Sequence, residues 1–352
     1  MSVVYKRLIK FDIAGVHTNN SITFDGGVNF SGIGGAMRIL VTGGAGAIGS
    51  SVVNDLLAHD FAVRVLDKTR EALTGLENPA LEIVEGGIED QETVRQAMQD
   101  VDVIYHLAET FSSRPGEVLD VDVMGNVNLL ETATEYGIKH FLFTSTHRVY
   151  GSPRYEPVNE EHPLHPEESG RALYAIFKLA NEKLCLSYWR ERNLPVTIFR
   201  FWWSFSHDIG GKALRTLIDT ALEGKTIVIP EKAGGNFLHN DDAAGAFRRA
   251  TLNDRTYGEV FNLSSGTFTT WQEIAGLVCE LTDSSSQLKL IPQEEWRGDT
   301  SFDTDRSIPN ECNLDIGKAE RLMGFKPEYT PGEVQSLFRE ALNRLVLAKK
   351  KK

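Results

Sequence analysis

Residues 37–49 read Met-Arg-Ile-Leu-Val-Thr-Gly-Gly-Ala-Gly-Ala-Ile-Gly, a short apolar run that stops at closely spaced glycines. The run has the length and residue types of a buried strand. Ile48, Val52 and Leu56 then recur at four-residue spacing, which predicts a helix directly after the turn. Gly43, Gly46 and Gly49 therefore stand in a strand-to-helix turn. There the first permits the tight turn, the second lets backbone approach a pyrophosphate and the third lets helix and strand pack closely. The free N–H groups of the helix start are the matching anion donors.

Outward from this turn the chain alternates apolar runs with helical stretches. The runs are Ile39–Val41, Ala62–Leu66, Leu81–Val84, Val101–Leu107, Phe141–Phe143 and Val196–Phe201. Such alternation predicts βαβ units around a parallel sheet buried on both faces. The fold class expected is α/β, a Rossmann-type doubly wound parallel sheet with a smaller C-terminal α/β substrate-binding lobe. Residues 1–36, glycine-rich between Gly26 and Gly35 and without clear period, form an extension of unread role. Residues 37–201 form the dinucleotide-binding domain with the catalytic residues. Residues 202–346 form mainly the substrate lobe, with some return to the core. Its helices are expected near 211–223, 271–282 and 331–346, and its short strands at Ile227–Ile229 and Val260–Asn262. Residues 347–352 are a basic tail read as a solvated end.

The 352 residues are 41% hydrophobic and 24% charged, which excludes collagen-like and disordered classes. The net charge of −12 argues against nucleic acid or an anionic membrane as partner, because phosphate is held mainly by Lys and Arg. Cys185, Cys279 and Cys312 are far apart without a CxxC pair, so neither a disulfide framework nor a zinc site is expected. No apolar stretch is long enough to span a bilayer and the amino terminus lacks a signal-peptide core. A cytoplasmic protein with a small-molecule substrate is the expectation. His147 and His239 lack metal-ligand spacing partners, so no metal is expected, and Asp241 with Asp242 reads as a helix cap.

Asp67 ends the second strand 24 positions after Gly43, where a carboxylate accepts hydrogen bonds from the adenosine ribose. This favours NAD; Lys68 and Arg70 follow at once and leave NADP open. Tyr174 and Lys178 form YxxxK in a stretch of helical spacing, so both side chains share one face. They follow a strand end at Thr144-Ser145-Thr146, and strand carboxyl ends are where such a sheet binds its ligand. A tyrosine is a poor base at neutral pH, but a neighbouring ammonium favours its phenolate. The expected roles are Lys178 as that charge, Thr146 as the hydrogen-bond partner of a substrate oxygen and Tyr174 as acid/base.

These residues resemble the extended short-chain dehydrogenase/reductase superfamily, specifically the NAD-dependent epimerase/dehydratase family. The resemblance runs from about residue 37 to 345. It includes TGGAGAIG at 42–49, HLAE at 106–109, DVMGNVNLLETA at 122–133, STHRVYG at 145–151, PVNEEHPLHP at 157–166, YAIFK at 174–178, FLHNDDAAGAF at 237–247 and KAERLMGFKP at 318–327. It implies that Ala47 and Ile48 pack over the pyrophosphate, that Ile88 lies near the adenine and that Leu107, Ala108 and Glu109 line the nicotinamide side. It also implies a homodimer through helices around 116–136 and 172–192.

Departures from the family pattern narrow the chemistry. The family's dehydratases carry Asp-Glu where this chain has His147 and Arg148, and its decarboxylases a Glu at Arg148. Gly87 replaces an Asp before Ile88, Asp122 an Asn, Phe177 a small residue and Trp203 an Asn. His147, Arg148 and Trp203 are the candidate substrate contacts; a guanidinium at 148 suits a carboxylate or phosphate. The leading expectation is an epimerase of a nucleotide sugar or related sugar working through a transient keto intermediate. The alternative is an NAD(P)-dependent dehydrogenase or reductase of a sugar, uronate or apolar alcohol or ketone. A non-catalytic, cofactor-sensing protein is the minor alternative.

Overall fold

The computed structural model describes residues 37–110, 112, 114–296 and 312–351. The expected extension, residues 1–36, lies outside them. Seven parallel strands form the central sheet: β1 (Arg38–Thr42), β2 (Ala62–Asp67), β3 (Leu81–Glu85), β4 (Val103–His106), β5 (His140–Thr144), β6 (Val196–Arg200) and, from the C-terminal half, β10 (Glu259–Asn262). Their order is β10-β6-β5-β4-β1-β2-β3. The chain winds from β1 toward β3 and then back through β4 toward β10, so the direction reverses between β1 and β4. A crevice at the carboxyl ends of the strands at that reversal is the ligand position in open α/β sheets.

The sheet is apolar because helices cover both faces. Ile39, Leu40, Val41, Ile104, Phe141, Leu142, Val196 and Ile198 are all fully buried. Helix α1 (Ala47–Ala58) buries Gly49, Val52, Val53 and Leu56, the four-residue spacing read from the sequence. The remaining helices of the first half are α2 (Gln91–Met98), α3 (Pro115–Val118), α4 (Gly125–Tyr136) and α5 (Ala172–Arg192). A wider π-helical turn, Leu119–Met124, joins α3 to α4. Asn181 on α5 donates to the Asp122 carbonyl of that turn at 2.9 Å and accepts from Asn126 at 3.1 Å, which ties the turn to the helix carrying Tyr174.

The C-terminal half contains β7 (Trp203–Phe205), α6 (Lys212–Leu222), β8 (Ile227–Pro230), β9 (Gly234–His239), α7 (Asn240–Ala250), β11 (Phe268–Thr270), α8 (Trp271–Thr282), β12 (Leu288–Ile291), α9 (Gly317–Met323) and α10 (Pro331–Lys350). Three-stranded β11-β9-β7 and two-stranded β12-β8 sheets form the smaller lobe, over a cluster that includes Phe205, Leu217, Phe237, Trp271, Ile274 and Phe338. Two expectations, on Val260–Asn262 and on the basic tail, are corrected here. Val260–Asn262 belongs to β10 of the central sheet, where pairing with β6 satisfies its backbone. Helix α7 goes with it, resting on α1 through Asn240 to the Ala47 carbonyl at 2.8 Å and Arg248 to Asp55 at 3.0 Å. The basic tail is not a free end as far as Lys350: it completes α10, and Lys349 reaches Asp219 at 2.6 Å, where a cation near a helix C-terminus is also favoured.

Among the described residues, no helix is long and apolar enough to cross a membrane.

Candidate active site

The glycine turn is built as its spacing requires. Gly43 has φ +71°, a left-handed conformation, and a Cβ there would lie 2.7 Å from the Ala108 nitrogen. At Gly49 a Cβ would lie 2.0 Å from the Gly43 carbonyl oxygen. Gly46 is the N-cap of α1 and offers no side chain to the amides of the amino-terminal turn that starts with Ala47 and Ile48. Asp67, at the end of β2, accepts from the Ala45 amide at 2.9 Å and the Thr69 amide at 3.1 Å, which holds its carboxylate at the rim of the turn. Lys68 pairs with Glu89 at 2.6 Å, and Ile88 is buried against Gly125.

The next loop is fixed to the first. The Thr42 hydroxyl accepts from the Ala108 amide at 3.3 Å and shares a hydrogen bond with His106 Nδ1 at 2.8 Å. Leu107 donates to the Thr42 carbonyl at 3.1 Å. Glu109 then follows β4 directly and turns toward α5.

Tyr174 and Lys178 meet that carboxylate. Lys178 Nζ is 2.7 Å from Glu109 Oε2 and donates to the Thr144 carbonyl at 3.1 Å. The Tyr174 hydroxyl donates to the same Oε2 at 3.2 Å. Lys178 is 4% exposed and Glu109 20%, so the pair reaches from the protein interior to its surface. Arg171 lies over the Tyr174 ring at 4.7 Å. Burial pushes the Tyr174 hydroxyl up from its ordinary range and Glu109 adds to this, against the pull of Lys178, Arg171 and Arg148. Lys178 pulls toward the phenolate, as expected of a neighbouring ammonium, but burial first and then the like charge of Glu109 outweigh that pull. Burial opposes the Lys178 charge, yet Glu109, Tyr174 and Asp122 together shift the amine upward. Asp122 is itself pushed up to about 6, by burial first, with Glu109 adding and the Thr110 amide and Lys178 opposing. Its carboxylate accepts from that amide at 2.7 Å.

Thr146 sits at the start of the 147–150 turn, its hydroxyl oxygen accepting from the Arg148 amide at 3.2 Å. Its neighbour Ser145 donates to Glu182 at 2.5 Å, and Glu182 is held by Arg200 through contacts of 2.8 and 2.5 Å. Both members of that ion pair are buried, so strand β6 and helix α5 fix the Ser145–Thr146 backbone. His147 is buried, with Nδ1 3.3 Å from the Phe201 carbonyl oxygen; burial first, then Arg148, holds it well below the ordinary histidine range. Trp203 packs against Trp271 at 5.7 Å and Phe237 at 6.0 Å, beside the lobe core, as Trp202 does against Phe237 at 4.9 Å. Asp241 and Asp242 do not cap α7. His239 does, its Nδ1 accepting from the Asp241 amide at 3.3 Å, while Asp242 accepts from Ser265 and the Glu328 amide.

Sequence reasoning placed Glu109 beside the cofactor but missed its contacts with Tyr174 and Lys178. It missed Arg171 altogether, although a residue three before Tyr174 at a helix start is a readable neighbour.

A glycine turn at the reversal of a doubly wound sheet, an acidic residue closing the second strand and a Tyr-Lys pair beside both define a dinucleotide-fold enzyme site. The chain belongs to the NAD dependent epimerase/dehydratase family, whose model matches residues 39–264. It is 30% identical over 313 residues to a UDP-N-acetyl-alpha-D-glucosaminuronate decarboxylase from Bacillus cytotoxicus, covering 82% of this chain and 92% of that one. Among solved structures it is similar to a UDP-glucose 4-epimerase from Thermotoga maritima, with TM-score 0.70, 25% identity and coverage of 90% of this chain and 99% of the other. It is likewise similar to a dTDP-glucose 4,6-dehydratase from Streptomyces venezuelae with NAD bound, with TM-score 0.72, 25% identity and coverage of 88% and 98%.

Proposed function

We propose that this chain is an NAD-dependent epimerase of a nucleotide-linked sugar, with Thr146, Tyr174 and Lys178 as its working residues. The observation that carries the reading is the meeting of Tyr174 and Lys178 beside the Gly43 turn at the carboxyl ends of β1, β4 and β5. The relatives named above act, by their names, on sugars linked to a nucleotide, which supports the substrate class.

The residues fit a dinucleotide. Gly43 and Gly49 hold a turn that a Cβ would force open, and in this reading that turn, with Gly46, Ala47 and Ile48, presents a glycine-capped helix start to the pyrophosphate. Asp67 offers a carboxylate for the ribose, and Lys68 is engaged by Glu89, which supports NAD over NADP. In this reading Ile88 serves the adenine, and Leu107, Ala108, Glu109, Tyr174 and Lys178 serve the nicotinamide end. When bound, NAD supplies reversible hydride exchange.

The chain's own part is to hold and move a proton. The Thr146 hydroxyl oxygen already accepts from Arg148, so its proton is what it offers a substrate oxygen. Tyr174 takes or returns the proton of the oxidised hydroxyl. Elimination needs an acid near Thr146, but position 147 holds a neutral, buried imidazole and position 148 a guanidinium, which does not deprotonate. That favours epimerisation over dehydration. Tyr174→Phe is expected to lower turnover by roughly 10²–10⁴-fold while NAD binding persists; near wild-type turnover rejects this reading.

The active chain is a homodimer in this reading, cytoplasmic, with a small-molecule substrate. Leu119, Met124 and Tyr136 on one helical stretch and Leu173 and Ile176 on α5 are large apolar side chains left exposed, between 39% and 48%. Exposed large apolar side chains on two neighbouring helical segments suit a second copy.

A further inference from the structure

The Tyr174 hydroxyl does not face an ammonium alone. It donates to Glu109 Oε2 at 3.2 Å, and that oxygen is also 2.7 Å from Lys178 Nζ. The charged groups around the tyrosine are Glu109 after β4, Asp122 in the π-helical turn, Arg148 after β5, and Arg171 and Lys178 with α5. Of these, Glu109 is the one that accepts the hydroxyl's hydrogen bond, and it is more exposed than Lys178. A phenol whose proton already points at a carboxylate is arranged to give that proton to it.

Building on the epimerase reading, we infer that Glu109 is the proton acceptor of Tyr174, linking the half-buried tyrosine's hydroxyl to solvent. As the substrate hydroxyl gives its proton to Tyr174 Oη, the proton already on Oη passes to Glu109 Oε2. One O–H bond breaks on the substrate and one on tyrosine; one forms on tyrosine and one on the carboxylate. Tyrosine stays neutral, Glu109 becomes neutral, and the substrate oxygen keeps the electron pair of its broken O–H bond; the carbonyl would form as the carbon's hydrogen leaves as hydride to the oxidised dinucleotide. Reduction of the keto group runs the same transfers backward.

The relay separates Glu109 from a residue that merely positions Lys178. Ultraviolet difference titration of the cofactor-free protein, with the Tyr174→Phe curve subtracted, isolates the ionisation of Tyr174. In E109Q that ionisation is expected to fall by about 1–3 pH units, the usual effect of a charge at this distance. Turnover of UDP-glucose, UDP-glucuronate or another sugar nucleotide that the wild type converts is expected to drop at least tenfold at pH 7. It should then rise with pH through the same midpoint, because the tyrosine now loses its proton to solvent. E109A is expected to do the same, which covers a folding failure of either variant. An unmoved Tyr174 midpoint, or a pH profile of turnover parallel to wild type, overturns the relay. Either result leaves the epimerase reading standing, since that reading falls only if Tyr174→Phe stays active.

Discussion

Gly49→Ala tests the glycine turn as a phosphate cradle. The new Cβ would start 2.0 Å from the Gly43 carbonyl oxygen and 2.7 Å from Gly44 Cα, both backbone atoms that no rotamer change can move aside. Restoring the 3.4 Å of ordinary contact means a retreat of about 1.4 Å. The Gly43 carbonyl also accepts the Gly46 amide at 3.0 Å, so the retreat opens the turn. Folding gains roughly 0.8–1 kcal/mol from alanine in a helix and loses roughly 0.5–1.5 kcal/mol with the turn bond, with a further roughly 1–3 kcal/mol for the crowded backbone. Binding has no such offset. Losing one hydrogen bond to a charged phosphate costs roughly 1.5–3 kcal/mol, or about 10–100-fold in Kd. Calorimetric titration of NAD into wild type and variant, with circular dichroism to confirm folding, reads the difference. A folded variant that binds NAD within twofold of wild type refutes the cradle.

Glu182→Ala leaves Arg200 charged and 3% exposed without its partner, so urea unfolding should show a loss of about 3–5 kcal/mol. Asp122→Asn should have a pH-dependent effect. The carboxyl is raised to about 6 in the fold from 3.8, so folding binds a proton, and the stability this gives is complete below the unfolded value and lost as pH rises through about 6. Urea titrations should therefore show the variant level with wild type near pH 4 and ahead by about 2–3 kcal/mol at pH 8. A constant gap across pH would contradict the assignment. Ile176→Glu places a charge on the exposed apolar face and should convert a dimer to a monomer in light scattering, with the monomer's fold kept.

Much of the fold is legible because it rests on local pattern. Glycines at 43 and 49 report a turn whose sterics only glycine meets, and apolar runs report strands buried on both faces. What sequence could not reach depends on partners far along the chain. Val260–Asn262 looks like any short strand, and only pairing with β6 makes it the last strand of the core. Lys349 looks solvated until α10 is seen to carry it to Asp219, 130 residues earlier. His239 displaces the neighbouring aspartates as a cap because Asp242 is drawn to Ser265 and the Glu328 amide. The tyrosine's chemistry was half legible. Lys178 is four residues away on the same helix, but Glu109 is 65 residues away and meets it only through the sheet. That carboxylate adds to the upward push that burial gives the hydroxyl.

The central measurement mixes purified protein with NAD and a panel of nucleotide sugars, following absorbance at the NADH band together with product identity. Formation of an epimer with no net NADH is the expected result. Stoichiometric NADH with an oxidised product would contradict the epimerase reading and make the chain a dehydrogenase.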